Sequence, residues 1–211
     1  MSAAGDGEAL SETTRLEAFS DGVFAIAITL LIIEIKVPSA AEVLAAHGLW
    51  PALAHHWPSF LGYTISFVTI GIMWANHHAV FTYVRKTDRA FLLANVFLLM
   101  TIAFLPFPTA VLAEYLPEPE VRVSAAVFYG LALVLTAVGF NLVWFFGIRG
   151  RRLLGGSIDE AGVRTISSRY RLGVPSYTLT TAAAFVSVTL SLALHLALAL
   201  LYARSEKAPA R

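Results

Sequence analysis

Inside the apolar runs of this 211-residue sequence, few side chains can carry charge or move a proton, and most fall on three neighbouring runs. Ser20 and Asp21 open the first run, Trp74, Asn76, His77 and His78 lie late in the second, and Asn95 stands early in the third. On helices rising 1.5 Å per residue, Asp21 lies about 9 Å past Arg15, Asn95 about 9 Å past Arg89, and His77 about 12 Å before Arg85. If those cations mark one membrane surface, all six side chains other than the indole share a single layer, with Trp74 and Asn141 close to it. Two kinds of chemistry suit such a layer. A carboxylate accepting from imidazole and amide donors can lock helices together. The same groups can hold a cation or pass a proton, because imidazole and carboxylate titrate in the useful range. Arg15 and Asp21 stand about 240° apart on a helix, so each needs a partner from a neighbour. His77 and His78 point about 100° apart, so one can face the layer while the other turns away.

Other chemistries find little support. Adjacent histidines make a weak metal pair, and no H-x-x-x-H or carboxylate set accompanies them. Ser20 has no nucleophile elbow, so an intramembrane hydrolase is not indicated. The chain has no cysteine, which removes disulfides, thiolate catalysis and cysteine-held metal. His195, alone in the last apolar stretch, reads as a packed or interfacial residue.

The elements that position this layer follow from composition. Apolar residues make up 57% of the chain and charged ones only 14%, against roughly a quarter charged in soluble domains. A net charge of +1 offers no basic surface for nucleic acid. A soluble enzyme and a disordered chain are excluded on the same grounds, and six helices of about 20 residues would use the apolar residues present. Apolar windows fall at about 18–37, 58–84, 90–113 and 121–148, followed by a long stretch over 172–203. Cations cluster at Arg15, at Arg85, Lys86 and Arg89, from Arg149 to Arg171, and from Arg204 onward; the segments 38–57 and 114–120 contain none. The positive-inside rule puts every cationic segment in the cytoplasm. An even number of crossings must then lie between Arg171 and Arg204, which splits the last stretch into spans at about 172–187 and 190–203, breaking near Ser187 to Ser191. Residues 1–14 read as a flexible tail rather than a secretory signal, and 205–211 as a second tail. Segment 38–57 suits a helix lying at the interface, anchored by Trp50 and Trp57. Pro106 and Pro108 should interrupt the third span.

Span one also carries an apolar stripe. Ile26, Leu30 and Ile33 recur at i, i+4 and i+7, in line with Gly22, a pattern equally suited to lipid contact or packing. The motif R-x-x-x-F-S-D, formed by Arg15, Phe19, Ser20 and Asp21, with W-x-N-H-H at Trp74, Asn76, His77 and His78, resembles the potassium channels of endosomes and lysosomes and their single-repeat prokaryotic relatives. The resemblance runs over essentially all six spans. It implies four copies of a six-helix unit around a pore lined by the first helix of each. Animal members hold two units per chain and dimerise, so a one-unit chain looks like a homotetramer. By resemblance, Ile26, Leu30 and Ile33 fall at the pore constriction and Thr29 at the threonine that backs it. Arg15, Phe19, Ser20, Asp21, Trp74, His77 and Asn95 fall at the cytoplasmic-side polar network, which takes in Asn76 and His78 as well. Like that family, the sequence has no T-V-G-Y-G loop.

The expected protein is therefore an all-α integral membrane protein with six transmembrane helices, both termini cytoplasmic, and no re-entrant selectivity-filter loop. It would sit in the lipid bilayer of a prokaryotic plasma membrane as a homotetramer. Rings of branched aliphatics would pass K+ with modest preference over Na+, because potassium sheds water more readily. No cofactor, no metal beyond permeating K+ and no nucleic acid is expected. A proton channel or proton-coupled carrier using Asp21, His77 and His78 is the alternative.

Overall fold

The computed structural model describes residues 3–155 and 158–203, with side chains from residue 13 onward. The chain runs through α1 (Ala3–Leu30), a 3₁₀ turn (Leu31–Glu34), α2 (Ala40–Ala45), α3 (Leu49–His55), α4 (Trp57–Tyr83), α5 (Arg89–Phe104) and α6 (Pro106–Tyr115). It continues through α7 (Arg122–Ile148), a 3₁₀ turn (Arg149–Arg151), α8 (Glu160–Ala182), a 3₁₀ turn (Ala183–Phe185) and α9 (Val188–Ala203). Among the described residues, four stretches are long and apolar enough to cross a membrane: Thr13–Glu34, Trp57–Tyr83, Arg89–Tyr115 and Arg122–Arg151. Val188–Ala203 is a shorter apolar helix.

Local chemistry explains the boundaries. Asp88 caps α5 by accepting from the Phe91 amide at 2.8 Å, and Asp159 caps α8 through the Gly162 amide at 2.7 Å. Pro106 has no amide hydrogen to continue the ladder, so the third apolar run breaks into α5 and α6 there. Ser39 and Glu42 form a reciprocal capping box on α2, and segment 38–57, expected as one interfacial helix, holds two short ones, α2 and α3. Between them His47 and Gly48 take positive φ, the conformation that turns so short a link.

Two boundaries differ from the sequence expectation. Residues 3–14, expected as a flexible tail, continue helix α1 toward the N-terminus; alanine, glutamate and leucine there are good helix formers and no proline intervenes. The fifth helix starts at Glu160 rather than near 172, because its first turns carry Arg164, Arg169 and Arg171 and so lack the apolarity that marks a span, although arginine favours helix. The break between the last two helices covers 183–187, and Ser187 accepts from the Leu190 amide at 3.3 Å to cap α9. The C-terminal tail over 205–211 lies outside the described residues.

The core lies among α1, α4, α5 and α7, with α8 and α9 packed on α7 and α4. Gly139 lets α7 come close to α5: a β-carbon there would lie 3.0 Å from Leu98 Cδ1 and 3.1 Å from its Cα. Helix α1 buries Thr13, Leu16, Ser20, Phe24 and Ala27, and Leu31 of the following 3₁₀ turn continues the same face. That face meets α4 and α5. Past the 3₁₀ turn, Lys36 pairs with Glu114 of α6 at 2.8 Å instead of with nearby Glu34, and both partners stay exposed.

Candidate functional site

On the buried face of α1, Ser20 starts a chain of hydrogen bonds across three helices. The Ser20 hydroxyl donates to the Leu16 carbonyl at 2.8 Å, within α1. It accepts from Asn95 Nδ2 of α5 at 3.0 Å. Asn95 Oδ1 then lies 2.8 Å from His77 Nε2 of α4. Because the carboxamide nitrogen is committed to Ser20, its oxygen must accept, and the Nε2-protonated tautomer of His77 satisfies every member. Ser20, His77 and Asn95 are all buried. The imidazole is held between the rings of Phe24 and Phe81, with centroids at 5.3 and 4.8 Å.

A second link runs beside the first. Trp74 Nε1 donates to Asp21 Oδ1 at 2.8 Å, tying the exposed flank of α1 to α4. The indole stacks on His78 with centroids 6.4 Å apart, and His78 is exposed. One turn of α4 therefore splits its two histidines as the helical phase requires: His77 joins the buried chain and His78 flanks the surface indole. Asn76 joins neither link and faces a cavity on the other side of α4. Arg15 is exposed and makes no ion pair among the described side chains.

Opposite the packed face, α1 and the 3₁₀ turn after it present apolar side chains that stay exposed in the subunit. Ile26 is 61% exposed, Leu30 41% and Ile33 69%, whereas Phe24 is 1% exposed. Phe19, Gly22 and Thr29 are exposed as well. The Thr29 hydroxyl bonds back to the Ala25 and Ile26 carbonyls at 2.9 and 3.0 Å, which satisfies it without a partner from outside the helix. Gly22 has no atom within 4 Å of where a β-carbon would stand.

One polar cluster lay outside the sequence reading, and His195 was read there only as a packed or interfacial residue. Ser66, Thr109 and Tyr129 form a buried cluster, at 2.7 Å from Ser66 to Thr109 and 3.2 Å from Ser66 to the tyrosine hydroxyl. His195 is fully packed, its Nδ1 against the Ser191 carbonyl at 2.8 Å and its Nε2 3.4 Å from Thr181. Single hydroxyls scattered over four helices leave no spacing signal that would group them. Among the described residues no set of three or more His, Cys, Asp or Glu could hold a metal ion.

Comparison with known proteins bears on this arrangement directly. Residues 15–106 match the family model described as endosomal/lysosomal potassium channel TMEM175. A potassium channel of Streptomyces collinus is 48% identical over 193 residues, covering 92% of this chain and 92% of the relative. The endosomal/lysosomal proton channel TMEM175 of Gallus gallus is 42% identical over 116 residues, 53% of this chain and 23% of that one. Among solved structures, a lysosomal potassium-selective channel TMEM175 homolog from Chamaesiphon minutus superposes with a TM-score of 0.83 at 42% identity, covering 92% of this chain and 100% of that one. With its all-helical fold and its match along nearly the whole chain, the protein belongs to the TMEM175 family, a family of ion channels and not of enzymes.

Proposed function

We propose that this chain is one subunit of a homotetrameric, potassium-permeable leak channel in the plasma membrane of a prokaryote, with six membrane spans and both termini in the cytoplasm. The sixfold count takes α8 and α9 as a pair of crossings, as the cationic segments on either side require. The observation that carries the reading is the exposed stripe of Ile26, Leu30 and Ile33 on the face of α1 turned away from its own subunit. Four such stripes around an axis make rings of branched aliphatics, which block a pore by dewetting when tight and pass a partly dehydrated ion when slightly wider. Ions that lose water readily cross more easily, so the channel prefers K+ over Na+ modestly. Thr29 stiffens the constriction through its bonds to the backbone. The Ser20–Asn95–His77 chain and the Trp74–Asp21 bond fix the rotation of α1, and that rotation determines which side chains reach the axis. Asp21, repeated four times, raises the local cation concentration near the inner mouth.

The test is ion flux in reconstituted bilayers. Leu30→Ala should raise cation conductance or loosen K+ over Na+ selectivity, and unchanged currents would remove the stripe from the pore. A proton-conducting reading has one specific point in its favour, the proton channel named for the Gallus gallus relative. It predicts that Asp21→Asn abolishes proton flux while the protein stays folded; a misassembled variant would mark Asp21 as a structural residue.

A further inference from the structure

On the side of α4 facing away from α1, the subunit keeps a cavity of about 120 Å³. Helix α4 packs on α9, and α7 packs on α8; the cavity occupies the gap between these two pairs. Its size suits a single ring, since an apolar cavity of about 150 Å³ takes up benzene. Most of the wall is apolar or aromatic, with Trp144 and Tyr170 stacked at 5.4 Å between centroids.

Polar atoms converge on this space without protein partners. The carboxamide of Asn76 makes no hydrogen bond among the described residues. Asn141 Nδ2 donates to the Ala137 carbonyl at 2.9 Å, which leaves its Oδ1 free to accept. Tyr177 is only 7% exposed, yet its hydroxyl has no partner. No fully enclosed side-chain polar atom among the described residues is left unpaired, so this hydroxyl keeps accessible surface, and Tyr177 lines the cavity. Carboxamide and phenol groups both donate and accept. They match a neutral head group that does the same. Arg169 is the one charged residue of the wall and has an interaction of its own, and no carboxylate lines the cavity, so an organic cation would meet repulsion there without a counter-charge.

We propose that this cavity binds a small neutral aromatic amphiphile, a single ring bearing a hydroxyl, and that its occupancy alters ion flux. The coupling runs through α4. Met73 and Asn76 face the cavity, while their neighbours Trp74 and His77 hold α1 through Asp21 and Asn95. A ring wedged behind α4 therefore biases the helix that positions the stripe. This second half rests on the channel reading above; the binding half does not.

The experiment uses 4-fluorophenol and fluorobenzene as probes, followed by fluorine NMR on the purified protein in detergent and by K+ flux from proteoliposomes. Gly173 borders the cavity, and a β-carbon there would stand 3.5 Å from the Tyr202 hydroxyl and 3.9 Å from Asn141 Nδ2, ordinary contact distances. Gly173→Ala should therefore fold normally and Gly173→Leu should fill the space. The wild type and Gly173→Ala are expected to bind 4-fluorophenol saturably and Gly173→Leu to lose that binding. Tyr177→Phe should weaken 4-fluorophenol about fivefold and leave fluorobenzene unchanged; it decides the matter even if Gly173→Leu misfolds. Equal binding by wild type and Gly173→Leu, no binding by wild type, or no effect of Tyr177→Phe would overturn the site. A saturable flux change in wild type that Gly173→Leu lacks supports the coupling, and unchanged flux with binding intact overturns it. A wild type that carries no flux overturns the channel reading and the coupling with it, while NMR still settles binding.

Discussion

Replacing Asn95 with leucine, a side chain of similar volume, tests whether the buried chain holds α1 in place. The change leaves His77 Nε2–H without its acceptor between the rings of Phe24 and Phe81. An unsatisfied buried donor costs about 1–3 kcal/mol. Side-chain hydrogen bonds in membrane proteins average nearer 0.6 kcal/mol and reach about 1.7, because the unfolded state in the membrane also finds partners. Full burial of all three members places this site at the upper end, at about 1.5 kcal/mol. Ser20→Ala should cost about 1 kcal/mol by stranding Asn95 Nδ2. In the Asn95→Leu background the same serine change should cost close to nothing, since its hydroxyl then only bonds back to the Leu16 carbonyl. The coupling energy is then about 1 kcal/mol, above the roughly 0.5 kcal/mol within which independent sites add. Reversible unfolding in mixed micelles, followed by circular dichroism over the four proteins of the cycle, measures it. Single costs that simply add would refute the three-helix chain as the device that fixes α1.

Three further outcomes follow from local geometry. Gly139→Ala should destabilise the subunit by about 1–3 kcal/mol through overpacking against Leu98. Gly22→Ala, on the exposed face of α1, should instead leave the fold intact and add up to about 1 kcal/mol of helix stability; the same unfolding assay compares the two. The Glu42 carboxyl lies below its ordinary range because it accepts from the Ser39 amide and takes part in the capping box. A lowered folded value means that the cap's contribution is present above the ordinary carboxylate range and is lost as pH falls through the lowered value. The protection factors of amides at the start of α2, which correct for slower intrinsic exchange in acid, should therefore fall on acidification in the wild type, and Glu42→Gln, which keeps the hydrogen bond without the charge, should flatten that dependence.

The apolar windows and the prolines made most of the helices legible, because burial in lipid leaves so few alternatives. The split of the last stretch came from cation placement alone, and it fell within a few residues of the observed turn at 183–187. The N-terminal half of α8 was missed because apolarity marks a span and not a helix; Asp159 before Glu160 was its visible cap. Depth along each run grouped Ser20, Asp21, His77 and Asn95 in the sequence, but it did not give their pairing. Depth could not tell that His77 would meet Asn95 while Asp21 met Trp74, since that depends on the rotation of each helix. Asn76 and Asn141 sat at the right depth and went to the cavity instead. A space between helices is a property of packing, and no single helix encodes it.

The absence of cysteine allows the central claim to be tested one position at a time. Single cysteines placed at Ile26, Leu30 and Ile33, and at the packed positions Phe24 and Ala27, would be exposed to a water-soluble cationic thiol reagent during K+ flux from proteoliposomes. If α1 lines the ion path, reagent should block flux through the first three variants and leave the other two unaffected. Block that is equal at both faces, or absent at the stripe in variants that conduct, would contradict a pore built from this helix.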